Sequence, residues 1–212
     1  NSKSTNGIFT DYIKNNALNF PTPSYFDSQV STEHSSIPDM VGWDETGAKI
    51  IIVENKFWAE LTPNQPIGYL SLLSNKVQGA LVFICPQKRL NVLNNELQRL
   101  INEDQNQYEY QNIIKSDDLI SNKVTKQQFI LIVSWRRVIN DLEKLLDPVK
   151  ERNILNDLQQ LRGLCKQMDV EGFIPLRPNE TSNLEIPRRA LNYLDVIEEI
   201  CTSLVEKGIG CK

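Results

Sequence analysis

Residues of the kind that hydrolyse bonds beside a metal gather in one stretch. Pro38-Asp39 precedes Met40-Val41-Gly42-Trp43, and Glu54-Asn55-Lys56 follows Ile50-Ile51-Ile52-Val53. Between them, Asp44-Glu45-Thr46-Gly47 reads as a glycine-containing turn. Two antiparallel strands about a turn centred near Thr46 put Asp39 opposite Val53 or Glu54. Side chains alternate along a strand, so Glu54 and Lys56 share a face. Asp39, Glu54 and Lys56 then converge at one end of a hairpin. Two carboxylates and the Asn55 backbone carbonyl are hard oxygen ligands of the kind that suit Mg2+ (or Mn2+). Such a metal lowers the pKa of a bound water and offsets charge on a phosphoryl oxygen. Lys56 is placed to orient the nucleophile or to stabilise the charge of the transition state. The plainer alternative is an ion pair at the sheet's edge. Against it, charges directly behind four aliphatic residues of a buried strand cost desolvation unless they are paired or bind an ion.

The elements that must position these residues follow from the pattern on either side. Residues 7–18 suit a short helix, with Ile8, Phe9, Tyr12 and Ile13 on its buried side. Residues 19–27, with Pro21 and Pro23, read as a loop, and residues 28–35 as a polar first strand. Thr62-Pro63-Asn64-Gln65 carries the signature of a helix start, which predicts a helix to about Asn75. Pro66 is awkward in its first turn. Residues 80–85 and 129–133 are apolar on both faces, as in buried strands. A helix is predicted over residues 88–103 and another from a Ser134 cap through Leu146. Residues 104–126 are weakly patterned and read as loop, with a short helix or strand near Ile113. After Asp147-Pro148 the pattern is helical only, over residues 153–168 and 188–207. The expected organisation is an α/β domain over residues 1–147 and a helical extension over residues 148–212.

The bulk composition restricts the partners. Of 212 residues, 40% are hydrophobic and 24% charged, enough for one ordinary core. The formal net charge of -4 argues against general polyanion binding, so any nucleic-acid contact needs a local basic patch or a bound cation. Cys85, Cys165, Cys201 and Cys211 form no CxxC pair and show no zinc or iron–sulfur spacing. Scattered thiols of this kind suggest a reducing, cytoplasmic setting. No apolar run is long enough to span a bilayer, so no membrane partner is expected.

Pro38-Asp39 and the Glu54-Asn55-Lys56 that closes a hydrophobic strand together resemble the PD-(D/E)XK nuclease superfamily. Gln65-Pro66-Ile67-Gly68-Tyr69 is similar to the QxxxY motif of its RecB-like branch. The resemblance covers residues 7–85 best. It implies a restriction-endonuclease-like fold, in which a mixed central sheet is flanked by helices, followed here by a C-terminal helical region. It implies Mg2+- or Mn2+-dependent hydrolysis of DNA phosphodiesters, with RNA as an alternative substrate and a role in bacterial defence or DNA processing. Asp39 and Glu54 would ligate the metal together with the Asn55 carbonyl, and Lys56 would position the water. Gln65 and Tyr69 would position the lysine, the water or the DNA backbone. Gln65 also fits a capping role and Tyr69 a core aromatic. A homodimer, or a partner subunit supplying target recognition, is compatible with such a nuclease.

Other candidates carry weaker signals. His34 lies closer to Pro-Asp than the branch's upstream histidine and reads as a turn residue. Asp11 and Glu33 are further acids with a surface alternative. Trp135-Arg136-Arg137 is the best small basic–aromatic patch for DNA phosphates, although such a tryptophan more often packs. Lys88-Arg89 and Arg188-Arg189 are weaker versions of it. The rival reading is a non-catalytic protein- or nucleic-acid-binding module on the same scaffold.

Overall fold

A computed structural model of the chain describes residues 21–28, 37–57, 59–62, 65–104 and 108–171. In chain order these form β1 (Tyr25–Ser28), β2 (Met40–Trp43), β3 (Lys49–Asn55), α1 (Ile67–Leu72), β4 (Gly79–Cys85), a 3-10 turn (Gln87–Arg89), α2 (Leu90–Glu103), β5 (Gln111–Lys115), β6 (Leu119–Lys123), β7 (Gln128–Ser134), α3 (Trp135–Leu145) and α4 (Arg152–Glu171). The chain divides into two compact units, Asn1–Val170 and Glu171–Lys212. The sheet and its helices belong to the first, and the expected boundary at residue 147 lies between α3 and α4. The expected helices over residues 7–18 and 188–207, most of the expected strand over residues 28–35, and Asp11, Glu33, His34, Arg188 and Arg189 lie outside the described residues.

The strands make one mixed seven-stranded sheet in the order β1-β2-β3-β4-β7-β6-β5. The central three, β3, β4 and β7, run parallel, and the pairs outside them are antiparallel. Parallel strands need cover on both faces, and these three are buried along almost their whole length. On one face Ile52, Leu81, Phe83, Ile130 and Ile132 pack with Tyr69 and Leu70 of α1 and with Leu90, Leu93, Leu97 and Ile101 of α2. On the other, Ile51, Val53, Val82, Ile84, Leu131 and Val133 pack with Val138 of α3 and with Phe26, Met40 and Leu142. α4 extends that second layer, where Leu158 and Cys165 bury against Ile139.

The β2–β3 turn is built by Asp44. Its Oδ1 accepts from the backbone N–H of Thr46 at 2.8 Å and of Ala48 at 2.9 Å, and from the Thr46 hydroxyl at 2.7 Å. These bonds hold the exposed Asp44 carboxyl below the ordinary carboxylate range, the Thr46 hydroxyl contributing most. Gly47 sits at φ 80°, a backbone setting that glycine adopts without the Cβ penalty.

Three departures from the sequence pattern have physical causes. β1 occupies the end of the stretch expected as loop over residues 19–27 and runs into Ser28, where the first strand was expected to start; its side chains are mostly exposed, as at a sheet edge. The helix expected from Thr62 begins only at Ile67. Pro66 has no N–H and disfavours helical geometry at Gln65. Within the weakly patterned stretch over residues 104–126, β5 falls at the expected short element near Ile113, and β6, where loop was expected, pairs with it as a hairpin. Its buried Asn122 donates to Asn94 Oδ1 at 3.1 Å and to the Tyr110 hydroxyl at 2.9 Å.

Candidate active site

The parallel strands end on the same side of the sheet, and a crevice at the carboxyl ends of parallel strands is where open α/β sheets bind ligands. Glu54, Asn55 and Lys56 come off the end of β3. Met40 pairs with Val53, so Asp39, one residue earlier, falls opposite Glu54 in the continued register. Asp39 Oδ2 accepts from the Asn55 backbone N–H at 2.7 Å, which ties the two ends of the hairpin together. Pro38 would stand across from Asn55. A proline cannot donate to a ladder, so that strand offers no N–H to the Asn55 carbonyl.

Glu54 is the centre of the arrangement. Its Oε1 accepts from Gln65 Nε2 at 3.0 Å and lies 3.1 Å from Lys56 Nζ. Its Oε2 accepts from the Tyr69 hydroxyl at 3.1 Å. Gln65 Nε2 also lies 3.1 Å from the Tyr69 hydroxyl oxygen, closing the ring of contacts. Tyr69 is placed by the first turn of α1. Gln65 lies just before that helix, whose N-cap is Pro66, so it caps no helix; its Oε1 accepts from the Thr62 backbone N–H at 3.2 Å, which ties the side chain to the preceding turn. Lys56 Nζ also donates to the Glu60 carbonyl at 3.4 Å. All four side chains are buried, at 8% exposure for Glu54, 5% for Lys56, 3% for Gln65 and 1% for Tyr69.

Burial, above all, raises the Tyr69 hydroxyl above its ordinary value. The Gln65 hydrogen bond opposes that rise, while the Glu54 and Asp39 charges add to it. Tyr69 is therefore a neutral donor to Glu54 across the ordinary pH range.

The donors suit a hard divalent cation. Asp39 and Glu54 carry two negative charges against the one positive charge of Lys56. Asp39 Oδ1 accepts no hydrogen bond from the described residues, and a carboxylate offers about four acceptor positions, of which Glu54 uses three. Among the described residues there is no group of three or more His, Cys, Asp and Glu that could hold a metal. A cation here would therefore take its remaining ligands from the Asn55 carbonyl and from water, as Mg2+ ordinarily does.

Comparisons with known protein families, curated proteins and solved structures found no match. The functional reading therefore rests on the residues and their geometry.

The expected basic patch is split by the fold. Trp135 stacks on Phe57, with ring centroids 5.6 Å apart, and packs among the residues between α3 and α4. Arg137 pairs with Asp118 at 3.1 Å and with Asp141 at 3.6 Å, which leaves Arg136 as the exposed cation of the three. Sequence reasoning gave Arg89 too little weight. It is buried, and its guanidinium donates to the carbonyls of Phe57 and Ala59, in the segment that leaves β3 beyond Lys56. The available signal was its place three residues after Pro86, at the carboxyl end of the strand beside β3.

Among the described residues no helix is long and apolar enough to cross a membrane.

Proposed function

We propose that this chain is a metal-dependent nuclease that hydrolyses DNA phosphodiesters, built on a restriction-endonuclease-like sheet. The observation that carries the reading is the meeting of two separate motifs on one carboxylate. Lys56, from the strand motif, and Gln65 and Tyr69, from the helix motif, all contact Glu54, with Asp39 opposite it across the hairpin. A Mg2+ or Mn2+ held by Asp39, Glu54 and the Asn55 carbonyl would supply Lewis acidity and a water of lowered pKa. Gln65 and Tyr69 hold the Glu54 carboxylate in one orientation. Lys56 orients the attacking water and offsets negative charge at the phosphoryl oxygens. The water oxygen bonds to phosphorus as it gives up one proton to solvent, the phosphorus–oxygen bond to the leaving sugar breaks, and that oxygen takes up a proton from solvent, so the protons balance. Arg136, exposed at the start of α3, is the candidate contact to a DNA phosphate. Bacterial defence or DNA processing is the role that accords with such an activity.

A second reading is favoured by the near-complete burial of Glu54, Lys56, Gln65 and Tyr69 and by the net charge of -4. In it the four side chains brace the sheet of a non-catalytic binding module. Calorimetric titration with Mn2+ separates the two. The nuclease reading expects binding that Asp39→Ala abolishes, because Asp39 Oδ1 has no hydrogen bond from the described residues. Absence of binding, or equal binding by Asp39→Ala, favours the brace.

A further inference from the structure

Arg89 lies in the 3-10 turn that follows β4, and only 4% of it is exposed. Its Nη1 donates to the Phe57 carbonyl at 2.9 Å and its Nη2 to the Ala59 carbonyl at 2.6 Å. Both carbonyls belong to the segment that runs from Lys56 toward Gln65. The same segment supplies the Glu60 carbonyl that accepts from Lys56 Nζ. On its other side the segment is fixed by the Phe57 ring, stacked on Trp135. A guanidinium is a planar fork of donors, so two bonds from one arginine set the relative placement of two peptide groups. A buried cation is a costly way to fill space, and an apolar side chain would fill the same volume without the desolvation. Its use here points to a requirement on where the Phe57 and Ala59 carbonyls lie.

We propose that Arg89 is a positioning residue for Lys56. It holds the Phe57 and Ala59 peptide groups so that the ammonium lies between Glu54 and the Glu60 carbonyl. The kinetic consequence rests on the nuclease reading; the geometric consequence does not.

Two variants test it. Arg89→Lys keeps the charge and loses the fork, and Arg89→Met loses both. With Mn2+ and saturating DNA, Arg89→Lys is expected to lower kcat about 10- to 100-fold while KM changes less than about twofold, as for residues that orient a catalytic group. On a Lys56→Ala background the same substitution is expected to change kcat by less than about twofold, because a residue acting through Lys56 is not additive with its removal. Equal losses on the two backgrounds, or losses that only follow the unfolded fraction in both variants, overturn the proposal.

Amide hydrogen exchange reads the placement without any activity. Arg89→Lys is expected to speed exchange at Lys56, whose N–H donates to the Ile84 carbonyl at 2.8 Å where the segment leaves β3, while Leu81, Val82 and Phe83 of β4 keep their protection. Uniform acceleration across the sheet, or none at Lys56, overturns the proposal. If the wild-type chain cleaves neither DNA nor RNA but exchange rises selectively, the positioning stands and the nuclease reading fails. If the wild-type chain cleaves and neither Arg89 variant alters kcat, the nuclease reading stands and the positioning fails.

Discussion

Glu54 is a buried carboxylate held by three donors, and the loss of any one is felt by the group that remains. Tyr69→Phe keeps the aromatic ring in the core and deletes the hydroxyl that donates to Glu54 Oε2. Leaving part of a buried charged acceptor without its donor costs about 1–3 kcal/mol. Urea unfolding should show that loss as a lower midpoint at an unchanged slope. An unchanged midpoint would mean that water replaces the hydroxyl and that Glu54 is less enclosed than its 8% exposure indicates. At this scale the sequence was informative. Strand alternation put Glu54 and Lys56 on one face, and the turn put Asp39 across from them. Gln65 and Tyr69 were expected on one helix face; only Tyr69 lies on the helix, which starts at Ile67, and Gln65 reaches Glu54 from the turn before it. Arg89 was harder to read, because its targets are backbone carbonyls some thirty positions away in the chain, and carbonyls carry no sequence signature.

The hairpin that carries Asp39 and Glu54 depends on close packing at its outer side. Phe26 of β1 stands directly opposite Gly42 of β2, and its ring lies over the glycine. A Cβ at Gly42 would come within 2.7 Å of Phe26 Cε1 and 3.2 Å of Ile51 Cβ. Gly42→Val must therefore displace the ring and press on β3. We expect a destabilisation of about 1–3 kcal/mol, the usual cost of overpacking, measured by urea or thermal unfolding. A variant as stable as the parent would show that β1 is loosely held. β1 itself could not be read from its own residues, since a short, exposed edge strand has no apolar alternation to declare it. β6 was missed for a different reason. Its polar Asn122 is buried because Asn94 and Tyr110, distant in the chain, meet its hydrogen bonds. The three central strands were legible because burial on both faces leaves an unbroken aliphatic run.

The whole molecule ties the site to the stability of the sheet. Its strand order was not legible in the sequence. β7 enters between β4 and β6, and no local pattern dictates which neighbour a buried strand selects. Burial raises the hydroxyls of both Tyr69 and Tyr110 above the ordinary value of 10.0. Below that value folded and unfolded chains both keep these protons, and the stability is fully present. As pH rises above it, the unfolded chain releases protons that the folded chain retains, so stability falls. Urea midpoints measured below and above pH 10.0 should show this fall, and the Tyr69→Phe, Tyr110→Phe double variant should show a shallower one. An identical fall in the double variant would assign it to other groups.

The central claim is that Asp39, Glu54 and Lys56 form a hydrolytic centre. It is tested most directly by cleavage of supercoiled and linear DNA with Mg2+ or Mn2+, comparing the wild-type chain with Asp39→Ala and Lys56→Ala proteins shown to be folded by thermal melting. Metal-dependent cleavage is expected of the wild type, and a loss of roughly 10²–10³-fold for Lys56→Ala, the range for removing one group that stabilises transition-state charge. Asp39→Ala should be at least as impaired. Equal cleavage by all three proteins, or none by the wild type with either metal, would contradict it.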